Sequence, residues 1–191
     1  MKQEEMLKTL ADTGALLSGH FELRSGLHSN QYFQCAFLLR YPDIAGRLCA
    51  ELAVRVRREL GRDNVADTVI APAMGGIVVG HELARALGTQ SIFAEKQEGK
   101  LVLRRFPIRQ GERFVVAEDV VTRGGRVQET IDIVEGHGGK VEAVALLVDR
   151  SGGKAHFPYP TLSLLQMEPV TWEPAACPLC KQGLTAVHPG S

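Results

Sequence analysis

The sequence predicts an α/β protein, an open and mostly parallel β-sheet flanked by helices. Three observations carry that prediction. Apolar runs at residues 68–73, 91–95, 114–118 and 141–149 are too continuously hydrophobic for strands with one wet face, and strands covered on both sides read this way. Segments with helical spacing lie between them. Glycine marks the junctions, at Gly75, Gly76, Gly88, the Gly124–Gly125 pair and the GHGG run of 136–139, as expected where strands and helices alternate.

The elements follow in order. Met6, Leu7, Leu10, Leu16 and Leu17 recur at roughly helical spacing, which predicts an amphipathic first helix with Gly14 as an interruption. Residues 20–39 read as two extended segments around the turn-forming residues Ser25, Gly26, Ser29 and Asn30, a hairpin that forms a small N-terminal hood. Pro42 and Asp43 open a helix to about Leu60, with Ala45, Leu48, Leu52 and Val56 facing inward. Gly75 and Gly76 read as the turn after the first core strand, and 77–87 as a helix stopped by Gly88. A further helix spans about 127–135. Beyond Asp149 come a loop, a candidate strand at 161–167 and a tail rich in proline and cysteine. The expected organisation is a single domain over 1–191, with a core at about 41–170 and a hood built from about 1–40 plus the tail.

A chain of 191 residues with 45% hydrophobic residues suffices for one well-formed core. Lysine plus arginine balances aspartate plus glutamate at 22 each, so no global field draws the protein to nucleic acid or an anionic membrane. Any anion is bound locally. No apolar run is long enough to span a membrane, and the first residues alternate charge with apolar groups, so a cytoplasmic protein is expected. Cys35, Cys49, Cys177 and Cys180 are too few and too unevenly placed for a disulfide scaffold, and reduced thiols are expected.

In open parallel sheets ligands sit beyond the carboxyl ends of the strands. The strand at 114–118 delivers Glu118, Asp119, Thr122, Gly124 and Gly125 to that edge. Two glycines let the backbone aim several N–H groups at one anion, and the helix that follows adds its positive dipole end. Thr122 contributes a hydroxyl. Carboxylates just before such a cradle repel phosphate but suit vicinal sugar hydroxyls, so the combination describes a ribose 5-phosphate site. A bare acidic pair before a glycine turn also fits an ordinary helix start; the whole string decides.

That string, EDVVTRGGRV over Glu118, Asp119, Val120, Val121, Thr122, Arg123, Gly124, Gly125, Arg126 and Val127, resembles the phosphoribosyl pyrophosphate (PRPP) motif of the type I phosphoribosyltransferases. The resemblance implies that fold, with residues 118–126 binding PRPP and Glu118 and Asp119 in catalytic roles. Glu118 stands where aspartate is also common, and Arg123 and Arg126 where small residues are frequent. The segment FELRSGLHSNQYF resembles the hood of orotate phosphoribosyltransferases, which implicates Arg24, Tyr32 and Phe33 in binding orotate. Arg150 emerges at the same sheet edge as Thr122, and the resemblance assigns both to orotate. APAMGGIVVG is similar to the family's pyrophosphate-binding turn at Gly75 and Gly76, although Gly75 stands where many relatives carry lysine. FAEKQEGKLVLRRF resembles the mobile catalytic loop. Lys96 matches the family lysine, Glu95 departs from a common arginine, and Lys100, Arg104 and Arg105 add positive charge.

The resemblance implies a glycosyltransferase of pyrimidine (UMP) biosynthesis that joins orotate to PRPP, giving orotidine 5'-monophosphate and pyrophosphate. Magnesium (Mg2+) would be held mainly through PRPP with no direct protein ligand. A loop that closes over a neighbouring subunit implies a homodimer. Two alternatives remain at this point: a phosphoribosyltransferase for a purine base, and a non-catalytic regulator of the same fold that senses PRPP or a nucleotide. No added DNA-binding helix pair or basic stripe is visible in the sequence, which disfavours the regulator. The CPLC tail, with Cys177 and Cys180, lies outside the common core of the family, although it resembles the ends of some orotate enzymes of bacterial and archaeal type. It is half of a zinc site or a redox pair, and with no second ligand pair near it in sequence, a local structural role is expected.

Overall fold

In a computed structural model the described residues are 1–23, 25–168 and 170–189. Helix α1 (Gln3–Asp12) leads to a hairpin of β1 (Leu16–Glu22) and β2 (His28–Phe33). A short α2 (Ala36–Leu39) precedes α3 (Pro42–Leu60), and the core then alternates β3 (Thr68–Pro72), α4 (Gly75–Leu87), β4 (Gln90–Gln97), β5 (Lys100–Val102), β6 (Arg113–Val121), α5 (Gly125–Gly136), β7 (Lys140–Asp149) and β8 (Thr161–Gln166). The tail adds β9 (Thr171–Trp172) and a single turn, α6 (Pro178–Lys181).

The core sheet has six strands in the order β5-β4-β3-β6-β7-β8. All its neighbours pair in parallel except β4 and β5. Alternate residues of the parallel strands face opposite layers, as the period of two requires. Val69, Ala71, Val115, Ala117 and Ala145 meet Leu48, Leu52, Val56, Val79 and Leu83 of α3 and α4 on one side, together with Met6 and Leu10 of α1. Ile70, Val116, Val144 and Leu146 meet Val127, Ile131 and Val134 of α5 on the other. Both faces are buried, which is why these strands read as unbroken apolar runs.

The α3 expectation holds to the residue, and Gly61 closes that helix in the left-handed conformation. Other boundaries move. Helix α1 stops at Asp12, and Leu16 and Leu17, read as its continuation, belong to β1; Gly14, at φ 74°, turns the chain between them. Ser29 and Asn30, read as turn residues, lie within β2. Ser29 pairs with Phe21 of β1 and with Thr171 of a second partner, β9, and its Oγ donates to Val170 O at 2.8 Å; Asn30 lies opposite the irregular stretch of β1 between Ser18 and Phe21. Gly75 and Gly76 form the first turn of α4 instead of a separate turn. The segment 96–102, read as a loop, is an antiparallel β4–β5 hairpin. Glu98 at φ 48° and Gly99 at φ 88° make its two-residue turn, the geometry that matches strand twist.

The hood is a separate three-stranded sheet, β1-β2-β9, so the tail folds back onto the N-terminal hairpin. Among the described residues no helix is long and apolar enough to cross a membrane.

Candidate active site

Strand β3 connects through α4 to β4 on one side, and β6 connects through α5 to β7 on the other. The carboxyl ends of β3 and β6 therefore flank the point where the chain reverses its direction of winding, the place where open α/β sheets bind ligands. The turns leaving these two strands build the site.

The turn after β6 is a concave cradle of about 280 Å³, lined by Glu118, residues 120–127 and Glu129. Gly124 precedes α5 at φ 81°, and a Cβ there would meet the Phe157 ring at 3.0 Å, so glycine is needed for the turn and for the close approach. The first turn of α5 holds no acidic side chain, which leaves its N–H groups and dipole available to an anion. Thr122, Arg123 and Arg126 are exposed around the cradle, and Val121 is buried beneath it.

Beside it opens a second cavity of about 780 Å³. Tyr32 and Phe33 from the hood, Met74 and Gly75 from the start of α4, the Glu118–Asp119 pair, Thr122, Arg126 and Arg150 all line it. Thus elements 118 residues apart in sequence, from Tyr32 to Arg150, converge on one volume.

Glu118 and Asp119 approach α4 closely. A Cβ on Gly75 would stand 2.7 Å from Asp119 Oδ2, and a Cβ on Gly76 would meet Glu118 Oε1 at 2.9 Å. Asp119 N donates to Glu118 Oε1 at 3.1 Å, and Val120 N donates to Asp119 Oδ1 at 2.8 Å. Burial, followed by the charge of Asp119, pushes Glu118 up to about 9. Burial also raises Asp119. The pair therefore retains a proton at neutral pH, seated on Glu118 and shared towards Asp119.

Arg150 leaves β7 with its backbone N–H bonded to Val121 O at 2.8 Å. Its guanidinium lies over the Phe33 ring at 4.8 Å, and its buried Nε has no hydrogen-bond partner among the described residues. Burial lowers its pKa from the usual guanidinium value. A stacked cation with an unused donor is equipped for a planar, anionic ligand.

Not every expected residue joins this volume. Lys96 is exposed on β4 and lines neither cavity. Arg105 is held by Glu95 through Nε and Nη2 at 2.8 and 3.0 Å, so the acidic departure at Glu95 has a partner within the hairpin. Arg104 is exposed, and Lys100 lies at the edge of a different groove against α5. Arg24 lies outside the described residues. Gln34, Cys35 and Met74 line the main cavity without having been singled out. Cys35 is buried, and its thiol is pushed up by burial and then by Asp119; neither its spacing nor its neighbours in sequence signalled that position.

A type I cradle at the switch point, an acidic pair beside it and a hooded cavity define a phosphoribosyl transferase site, and residues 41–179 match the phosphoribosyl transferase domain model. The chain belongs to that family. Over its whole length it is 50% identical to the orotate phosphoribosyltransferase of Desulforamulus reducens, of which 98% is covered, and 50% identical to that of Heliobacterium modesticaldum, of which 99% is covered. Within the family it therefore belongs with the orotate phosphoribosyltransferases. Among solved structures it resembles orotate phosphoribosyltransferase from Aeropyrum pernix, with a TM-score of 0.70 at 27% identity over 84% of this chain and 93% of that one. An adenine phosphoribosyltransferase from Thermoanaerobacter pseudethanolicus shares the fold, with a TM-score of 0.59 at 18% identity over 72% and 88% of the two chains.

Proposed function

We propose that this chain transfers the 5-phosphoribosyl group of PRPP to orotate, releasing pyrophosphate and forming orotidine 5'-monophosphate for pyrimidine biosynthesis. The observation that carries the reading is the convergence of Arg150, the Glu118–Asp119 pair and the Thr122–Arg126 turn on adjoining cavities. The 5'-phosphate sits on the N–H groups of residues 122–126. The ribose hydroxyls meet Asp119 and Glu118, and the pyrophosphate lies toward Gly75 and Gly76. Orotate occupies the hood side, its carboxylate and ring oxygens facing Arg150 and Thr122 beside Tyr32 and Phe33.

The pyrimidine nitrogen of orotate reacts as an anion, so the chain supplies position and charge, with no strong base. As the bond from the ribose C1 to pyrophosphate breaks, the ribose gains positive charge, and Asp119 lies where its carboxylate stabilises it. Glu118, protonated, donates towards Asp119 and keeps the pair from repelling the diphosphate. Mg2+ fits the site as a companion of PRPP: the oxygen donors facing the cavity from this pair are hard, but their shared proton makes them weak direct ligands. When bound, the ion supplies neutralisation of the leaving diphosphate. Lys96 adds a cation to the same group from the β4–β5 hairpin. Since Lys96 lines neither of the two site cavities, the reading includes a homodimer in which the hairpin serves the neighbouring site. A cytoplasmic location accords with these substrates.

The experiment is a spectrophotometric assay with PRPP and Mg2+, offering orotate, adenine, guanine and hypoxanthine in turn. Loss of orotate absorbance with pyrophosphate release is the expected result. Turnover of a purine without turnover of orotate would overturn the reading, and PRPP binding without any turnover would favour the regulator.

A further inference from the structure

The site described above leaves the CPLC tail unused, and there the fold assembles four ligand-type side chains that nothing so far has assigned. We propose that His20, His28, Cys177 and Cys180 bind one structural zinc ion, which clamps the C-terminal tail to the hood.

The strand register brings the histidines together. Glu22 stands opposite His28 across the β1–β2 hairpin, and the register shifts between Ser18 and Phe21, so that His20, in that irregular stretch, turns inward beside His28. Their ring centroids are 4.8 Å apart. Cys177 caps the single turn α6 and Cys180 lies within it, a spacing that sets both sulfurs on one side of the turn. The four ligand atoms all lie within 4.8 Å of one another.

The separations suit a tetrahedron. His20 Nε2 is 3.4 Å from Cys177 Sγ and 3.7 Å from Cys180 Sγ, and Cys180 Sγ is 3.3 Å from His28 Nδ1. Zinc bonds of about 2.0–2.3 Å imply ligand-to-ligand edges of about 3.3–3.8 Å. The His20 Nε2 to His28 Nδ1 edge, at 2.8 Å, opens by a few tenths to join them.

Hydrogen bonding alone is a poor account of the cluster. His20 Nδ1 lies 2.8 Å from Leu184 O, which places the ring proton on Nδ1 and leaves Nε2 a single in-plane lone pair. Three partner atoms crowd that one lone pair. A single cation among them engages all four ligands at once, with Leu184 O orienting the His20 ring from behind. Two thiolates and two imidazoles select zinc among common divalent ions, and four protein ligands leave no open position for chemistry. His20, His28 and Cys177 are buried, whereas Cys180 is exposed and gives the ion its way in.

The clamp acts where the tail already touches the hood. Val187 N donates to His20 O at 2.8 Å, Val187 O accepts from Glu22 N at 2.9 Å, and β9 pairs with β2 at Trp172 and His28. Strand β2 then runs from His28 to Tyr32 and Phe33, which line the main cavity.

The test uses the full-length chain purified under reducing conditions without chelator. Mass-spectrometric metal analysis should return about one zinc per chain, and replacement by Co(II) should give thiolate charge-transfer and intense tetrahedral d–d bands. Cys180→Ser should drop the zinc content at least about tenfold and abolish the charge-transfer bands. Stripping the wild-type chain with a strong chelator should lower its melting temperature by about 5 °C or more, and Zn(II) alone should restore it. Wild-type zinc content no higher than that of Cys180→Ser, a weak octahedral cobalt spectrum, or a Cys177–Cys180 disulfide in the freshly purified protein would each overturn the proposal.

Discussion

Replacing Glu118 by glutamine separates the electrostatics of the acidic pair from its shape. Glutamine keeps the volume beside Gly76 and still donates towards Asp119, but it does not titrate. Glu118 is raised by burial, then by Asp119, from 4.5 to about 9. Between those values the folded chain holds a proton that the unfolded chain has released, so this group's contribution to stability falls as pH rises through the window. One proton corresponds to about 1.4 kcal/mol per pH unit, or about 3 kcal/mol between pH 6 and pH 8. At about 2–4 °C per kcal/mol for a chain of this size, the melting temperature of Glu118→Gln should gain about 6–12 °C on wild type across that interval. Groups common to both chains cancel in the difference, apart from Asp119, whose own titration responds to the residue at 118. Calorimetric scans at matched ionic strength from pH 6 to pH 8 measure it, with steady-state turnover alongside, where the variant should lose at least about tenfold in kcat/KM. A difference that stays flat with pH, or a variant less stable than wild type at pH 8, would refute the protonated state assigned to Glu118.

Arg150→Ala should raise the orotate KM and cut kcat/KM by about ten- to a hundredfold, since a charge-assisted hydrogen bond is worth about 1.5–3 kcal/mol; an unchanged orotate KM in steady-state assays would remove Arg150 from the base site. Gly124→Ala puts a Cβ at φ 81° and 3.0 Å from Phe157, and it should destabilise the chain by about 1–2 kcal/mol while raising the PRPP KM, as seen by denaturant titration and initial rates. Lys96→Ala should lower kcat at least about tenfold with an unaltered melting temperature, and mixing it with an Asp119→Asn chain should restore part of the activity if the hairpin serves the neighbouring subunit. Failure of the mixture to exceed either variant alone would place Lys96 with its own chain's site.

What the sequence disclosed were features whose cause is local. The α3 helix, opened by Pro42 and closed by Gly61, and the four buried strands were readable because propensity, capping and burial act within a few residues. The Glu118–Gly125 string was readable because its chemistry is contiguous. Where partners are distant, the reading failed. Ser29 has turn chemistry, yet β9, more than 140 residues later, pairs with it at Thr171. Lys96 and the residues after it resemble a mobile catalytic loop, and the Glu98–Gly99 turn folds 95–102 into a hairpin while Glu95 reaches past it to hold Arg105. His20 and His28 carry no metal spacing of their own until the hairpin register makes them neighbours. The order of the core strands, which sets the switch point between β3 and β6, leaves no mark in any one segment.

The unusual residues at the site are linked by one arrangement. Gly75 stands where many family members have lysine, and that cation would offset the diphosphate and the acidic pair together. Here the backbone of α4 instead passes so near β6 that a Cβ at 75 would meet Asp119 at 2.7 Å, while Gly76 gives Glu118 the same room. Two carboxylates packed this closely against a helix start, away from water, cannot both remain ionised, and Glu118 keeps its proton. That proton reduces the negative charge facing the diphosphate without an additional side chain. Arg126, which lines both cavities and lowers the pKa of Glu118 by its charge, supplies a cation from the opposite turn. On the proposed binding of PRPP, a proton retained where Gly75 and Gly76 let the acidic pair pack closely, and the Arg126 cation from α5, together take the place of the lysine expected at 75.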